Sequence, residues 1–229
     1  MSSLVDDPST RSDDSSLDRD LPTAQPRSGN EIYRKILHML PGFLPFLLAL
    51  LPHDDPPDWI AMTLVVLITV VLTSLYILMR TRVSRPDEQN FYSTTLSYPA
   101  AVLGTLLVFP SHAEFAMVVV ILIAFGDGFA FICGKNFGKR RLPWNSEKTW
   151  AGTIGFVLFS TPIAALAFWL EAQNPDVPFL LAGACCLIAS ITAALAESWP
   201  TKLTDNLRVG LTAALTISTS YFLLSKIWV

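Results

Sequence analysis

Charge is scarce in this sequence. Asp, Glu, Lys and Arg make up only 15% of its 229 residues, where a soluble domain carries about a quarter. Hydrophobic residues reach 52% and the mean hydropathy is +0.46. A soluble domain of this length still leaves a large area in water, so a chain this apolar argues against a soluble enzyme and for a polytopic membrane protein. Cysteine is also scarce. Cys133, Cys185 and Cys186 lie inside apolar runs and read as small buried hydrophobes rather than a disulfide framework or a zinc site. A basic excess is missing: the net charge of −3 gives no ground for a nucleic-acid partner. The Gly-x-x-x-x-Gly-Lys-Ser/Thr spacing of a Walker A loop is absent, and so is any internal repeat.

What is present divides into two unlike parts. Residues 1–30 hold six Asp and three Arg among many Ser and Pro, with no hydrophobic period. Such a stretch buries too little apolar area to offset its ordering entropy and is expected to be a disordered acidic tail. It lacks the apolar core of a signal peptide and is too acidic for a transit peptide, which points to a bacterial inner membrane. Residues 31–229 are expected to form the transmembrane domain. Apolar stretches fall at about 36–51, 59–79, 91–109, 114–134, 150–170, 179–199 and 209–228, most of them near the ~20 residues a helix needs to cross a bilayer. The expected fold is an all-α bundle of about seven membrane helices, or six with a re-entrant segment. The first stretch carries Pro41 and Pro45 and is expected to kink. The hydroxyls of the polar third stretch must bond their own backbone or face other helices.

Basic residues alternate between connections. Arg34 and Lys35 flank the first stretch, Arg80, Arg82 and Arg85 follow the second, and Lys135, Lys139, Arg140, Arg141 and Lys148 lie between the fourth and fifth. Lys202 and Arg208 lie between the sixth and seventh, whereas 52–58, 110–113 and 171–178 contain no Lys or Arg. The positive-inside rule then predicts a cytoplasmic N-terminus and, with seven spans, an outer C-terminus.

An ionisable group within a span costs roughly 2.5–3.5 kcal/mol on insertion scales and needs a reason. His38, Asp127, Lys148 and Glu197 are the cases here, and the predicted topology brings all of them to one depth near the basic face. Asp205, Asn206, Lys139, Arg140 and Arg141 join them there. Carboxylates beside cations on one leaflet suit Mg²⁺ with a polyphosphate, helped by the N-terminus of the helix that Lys148 and Thr149 open. Gly126, Gly128, Gly134 and Gly138 flank the basic loop, where glycine allows close backbone approach. Plainer roles exist for many of these residues. Gly152 and Gly155 are read as helix-packing positions. Arg80, Arg82 and Arg85 are read as topology anchors, and Trp59, Trp150, Trp169, Trp199 and Trp228 as an interfacial belt.

Several blocks carry a family resemblance. Arg34-Lys35-Ile36-Leu37-His38 followed by Gly42, Gly126-Asp127-Gly128-Phe129-Ala130 followed by Gly134 and Gly138, and Leu142-Pro143-Trp144-Asn145 stand in order along the chain. Lys148-Thr149-Trp150-Ala151-Gly152-Thr153, Ala196-Glu197-Ser198 and Asp205-Asn206-Leu207 follow. In this order and spacing they resemble the polyprenol kinase family, and its phytol and farnesol kinase branch most. Phe131 stands where many of its members have a second acid, Thr204 where the last loop usually has its first Asp, and Gly210 where Pro is common.

The resemblance implies a membrane-embedded kinase that moves the γ-phosphate of CTP to a lipid alcohol, with Mg²⁺ as cofactor. On that reading Asp127, Asp205 and Glu197 serve the metal. Lys139, Arg140, Lys148, Thr149, Gly126, Gly128 and Asn206 serve the nucleotide, and Asp127, His38 and Lys148 serve catalysis, with either Asp127 or His38 taking the alcohol proton. The alternatives are CDP-lipid synthesis by a phosphatidate cytidylyltransferase-like enzyme, a CTP-dependent diacylglycerol kinase, a transporter, and an inactive lipid-binding relative.

Overall fold

The computed structural model describes residues 29–50, 56–83, 91–172 and 176–228; the tail expected over 1–30 lies outside them except for its last two residues, and Asp54, Asp55 and Arg85 lie outside them too. The chain opens with α1 (Gly29–Met39), a 3₁₀ turn (Leu40–Phe43) and α2 (Leu44–Leu48). Then come α3 (Trp59–Leu78), α4 (Arg80–Val83) and α5 (Phe91–Val108). α6 (Ala113–Ile121) runs through a π turn (Leu122–Gly126) into α7 (Asp127–Phe137). A short hairpin, β1 (Arg141–Leu142) and β2 (Asn145–Thr149), leads to α8 (Trp150–Glu171), α9 (Phe179–Ser198) and α10 (Asp205–Trp228).

Among the described residues six helical runs are long and apolar enough to cross a membrane: α3, α5, the continuous Ala113–Phe137 run, α8, α9 and α10. The expected all-α membrane architecture is what is observed. The last helix starts at Asp205, four residues before the predicted apolar stretch, because Asp205 and Asn206 form its polar first turn. The first stretch breaks where its prolines predict. Proline lacks an N–H and clashes with the preceding turn, so Pro41 and Pro45 divide it into short pieces. These pieces pack against α7, the π turn and α6.

The central element is the run Ala113–Phe137, in which every residue from Ala113 to Val119 and from Ile121 to Gly126 is buried. Around it α8 and α10 pack closely on α9 because the contact faces are small: Ala182, Cys185, Cys186, Ala189 and Ala193 on α9 and Ala213 on α10 are fully enclosed. Without water to drive helix association, such faces supply the van der Waals contact that holds helices together in lipid. At the other extreme, α3 has no buried residue, as suits a helix at the edge of the bundle that packs mainly on α5 among the long helices and turns its outer face to lipid. Three α5 hydroxyls donate to their own helix: Thr95 to the Phe91 carbonyl at 2.8 Å, Ser97 to Thr94 at 2.8 Å and Thr105 to Ala101 at 2.7 Å. All three cysteines are free and buried.

Candidate functional site

The π turn delivers Asp127 to the first position of α7, where its side chain is 17% exposed. Lys35, one turn before the end of α1, reaches across 92 positions of sequence and donates to both carboxylate oxygens, at 2.7 and 2.5 Å. His38, on the next turn of α1, places Nε2 at 3.6 Å from Asp127 Oδ2. That nitrogen is buried with no hydrogen-bond partner. The His38 ring leans on Tyr98 of α5, with centroids 5.3 Å apart, and Tyr98 donates its hydroxyl to the Val120 carbonyl at 3.2 Å.

A second charged cluster forms where the hairpin meets α9 and α10. Lys148 on β2 pairs with Glu197, which is 5% exposed, and with Asp205 at 3.2 Å. Arg208 pairs with the other Asp205 oxygen and donates to the carbonyls of Ala196, at 3.0 Å, and Trp199. It thereby satisfies the C-terminal carbonyls that α9 leaves open. Burial works against the Lys148 charge, but Glu197, Asp205 and Asp127 outweigh it and hold the ammonium above its ordinary value. The hairpin is fixed to α9 by Trp144 Nε1 donating to Ser198 Oγ at 3.1 Å and Asn145 Nδ2 donating to the Ser198 carbonyl at 3.0 Å.

Both clusters face one cavity of about 1380 Å³. Its polar end is lined by Lys35, His38, Asp127, Lys148, Glu197 and Asp205, with Arg34, Lys135, Arg141 and Lys202 adding positive charge. Its other end is lined by Leu37, Leu40, Leu44, Leu72, Leu75 and Val102, from α1, α3 and α5 and the breaks between them. A cavity with one cationic end and one aliphatic end fits an amphiphile together with a polyanion.

The residues singled out from sequence divide. His38, Asp127, Lys148, Thr149, Glu197, Asp205 and Asn206 all line the cavity. Lys139 and Arg140 are exposed and off its wall. Gly126 and Gly128 are buried against Phe156 and Met39, and a Cβ on either would overlap those side chains; packing between helices, not backbone approach to a ligand, requires glycine there. Thr149 Oγ1 accepts from Gly152 N at 3.1 Å and caps α8. Asn206 donates to the Thr94 carbonyl at 2.9 Å, and Thr204 to Ser97 Oγ at 2.9 Å, so both fasten the last connection to α5.

Sequence reasoning missed Lys35 as a site residue. It read Lys35 as a flanking charge, although the one-turn spacing to His38 was a usable signal. Phe131 also acquires a place: the Lys35 and Lys135 ammonium groups lie 5.5 and 5.8 Å from its ring centroid, within range of a cation–π attraction.

The three carboxylates expected to hold a metal do not meet at one point. Lys35 engages Asp127, Lys148 bridges Glu197 and Asp205, and among the described residues no three His, Cys, Asp or Glu side chains converge on an ion. Mg²⁺, however, usually takes one or two carboxylates and completes its shell with water and phosphate oxygens. Glu197 and Asp205, whose side chain is 44% exposed, fit that donor set.

Comparison with known proteins adds an independent line. The model of the cytidylyltransferase family matches residues 30–217. Chloroplastic farnesol kinase of Arabidopsis thaliana is 29% identical over 139 residues, which cover 56% of this chain and 43% of that protein. A probable chloroplastic phytol kinase 2 of Oryza sativa subsp. japonica is 33% identical over 129 residues, covering 55% and 40%. Chloroplastic phytol kinase 1 of Arabidopsis thaliana is 28% identical over 145 residues, covering 62% and 47%. The chain spans less than half the length of these curated relatives. Their names place them in chloroplasts and lend no support to a bacterial inner membrane. No solved structure matches the chain.

Proposed function

The chain belongs to the cytidylyltransferase family, and from that premise we propose that it is a membrane-embedded kinase transferring a phosphoryl group from a nucleoside triphosphate to a lipid alcohol. Its relatives named farnesol and phytol kinase agree with the polyprenol kinase resemblance of its motifs. An isoprenoid alcohol is therefore the proposed acceptor, and the resemblance makes CTP the donor. The observation that carries the reading is the single cavity with the Lys35–Asp127–His38 and Lys148–Glu197–Asp205 clusters at one end and aliphatic residues from α1, α3 and α5 at the other.

Phosphoryl transfer asks the protein for positioning and charge neutralisation more than for covalent chemistry. Lys148, Lys35 and Lys202 hold the polyphosphate. The alcohol lies along the aliphatic wall with its hydroxyl near His38. As its oxygen bonds to the terminal phosphorus, the bond to the bridging oxygen breaks and the nucleoside diphosphate leaves. The hydroxyl proton passes to His38 Nε2, the acceptor left without a partner, while Asp127 steadies the imidazolium. His38 is preferred to Asp127 as base because Lys35 already occupies both Asp127 oxygens. Mg²⁺ entering with the nucleotide would be held by Glu197 and Asp205 and would neutralise phosphate charge. The positive-inside rule puts this polar end on the cytoplasmic side, and a lipid alcohol reaches it from the adjoining leaflet.

The test is purified protein with γ-labelled CTP or ATP and a panel of phytol, farnesol, dolichol and diacylglycerol. Label is expected in an isoprenoid monophosphate with release of nucleoside diphosphate. With phosphatidate added as a further acceptor, labelled pyrophosphate released from the γ-labelled CTP, with no labelled alcohol, would assign cytidylyl transfer instead.

A further inference from the structure

Beside the main cavity lies a second one, of about 630 Å³, between the hairpin and the connection from α9 to α10. The two share Ser146, Glu147, Lys148, Lys202 and Asp205 as a common wall. To the charged residues Glu147, Lys148, Lys202, Asp205 and Arg208 the outer cavity adds two tryptophans, Trp144 and Trp199. Trp199, 58% exposed, stacks on Trp144 at 28° with centroids 6.4 Å apart. Trp150 meets Trp144 edge-on at 5.6 Å. Trp144 is held by its bond to Ser198, and the turn is stiffened by the Glu147 N–H donating to Asn145 Oδ1 at 3.0 Å.

An interfacial belt accounts for Trp199 at a span end but not for Trp144. That residue sits in the hairpin turn and is tied to α9 by a directed hydrogen bond. A rigid pair of indole rings with one broad face open, next to a lysine pair on a wall shared with the reaction cavity, is what a nucleotide needs at its non-reacting end. We propose that the outer cavity is the nucleoside subsite: the base lies on Trp199, and the polyphosphate crosses Lys148 and Lys202 into the main cavity with its terminal phosphate towards Lys35. This rests on reading the main cavity as a phosphoryl-transfer site, and it fixes the direction in which the donor lies. Stacking is tolerant of base identity, so the subsite grips a nucleoside without choosing among bases.

The test is equilibrium binding of labelled CTP to the purified protein in detergent, with tripolyphosphate, which has no base, as competitor. Trp199→Ala should weaken CTP by roughly 5- to 150-fold, the range a lost base–aromatic stack gives. Trp199→Phe should retain most affinity, and tripolyphosphate should compete equally well in all three proteins. Thr201→Trp, which fills the outer cavity from another wall without lining the main one, should exclude CTP and spare tripolyphosphate; it keeps the test decisive if Trp199→Ala does not fold. Unchanged CTP affinity in Trp199→Ala, or equal weakening of CTP and tripolyphosphate, overturns the subsite and leaves the kinase reading standing. Failure of tripolyphosphate to compete in the unaltered protein would remove the phosphate site itself.

Discussion

Lys148 and Lys35 each meet carboxylate, Lys148 half-buried and Lys35 mostly buried, and the consequences differ. Lys148 stands between both cavities, so Lys148→Ala should cost about 10²–10³ in turnover, as loss of one preorganised charge stabiliser does; near-normal turnover would take it out of the site. Its ammonium is held above the ordinary lysine value by Glu197, Asp205 and Asp127 against the opposing effect of burial. A raised value means that its stabilising contribution is complete below the unfolded value near 10.4 and fades only as pH rises through the higher folded one. An activity profile should therefore show no alkaline decline from Lys148 between pH 7 and 9, which a comparison with Lys148→Arg would check. Lys35 and Asp127 form a mostly buried pair. Removing one partner strands the other charge, so Lys35→Met alone should destabilise the fold by roughly 3–5 kcal/mol, while Lys35→Met with Asp127→Asn should recover most of that. Unfolding in mixed micelles would read the cycle, and additive losses would show that the two groups do not depend on each other. Asp127 was legible in the sequence because an acid between glycines inside an apolar run has few structural excuses. Its partner was harder to find, since 92 positions separate them and, apart from the one-turn spacing of Lys35 to His38, several basic residues were equally eligible.

At the scale of elements, α8 decides how the site is presented, because Thr149 is its N-cap and follows directly on Lys148. Thr149→Ala removes the cap on Gly152 N and should cost about 1 kcal/mol, with Thr149→Ser nearly neutral. Gly152 lies where α8 crosses α7; a Cβ there would stand 2.9 Å from the Ala130 carbonyl oxygen. Gly152→Ala should therefore lower stability by about 1–3 kcal/mol through overpacking, visible as a lower melting temperature in detergent. An unchanged melting temperature would mean that the crossing has slack. The packing role of Gly152 and Gly155 was readable from their spacing. That Gly126 and Gly128 also serve packing was not, because a glycine beside a charged residue reads the same whether it faces a ligand, Phe156 or Met39. The hairpin was missed for a similar reason. Arg141 to Thr149 carries no alternation of apolar and polar residues, and it is fixed by bonds from Trp144 and Asn145 to Ser198.

For the whole molecule, alternating basic and non-basic connections imply that the hairpin and the α8–α9 connection lie on opposite sides of the bilayer. Single cysteines at the exposed positions Lys139 and Asp176 should react with an impermeant thiol reagent from opposite faces. The native thiols are buried and should add little background. Labelling of both from one side would refute the topology and the cytoplasmic placement of the cavity. Membrane class, the limits of most of the long helices and the face that gathers charge were fixed by the chain itself, because hydropathy and the cost of a charge in hydrocarbon act on each segment wherever it packs. The pairing of Lys35 with Asp127 and of Lys148 with Glu197, the closing of a cavity between aliphatic and cationic ends, and the stacking of Trp199 on Trp144 were decided only by tertiary structure. Each depends on which distant helices lie side by side, and a local pattern of residues carries no record of its neighbours in space.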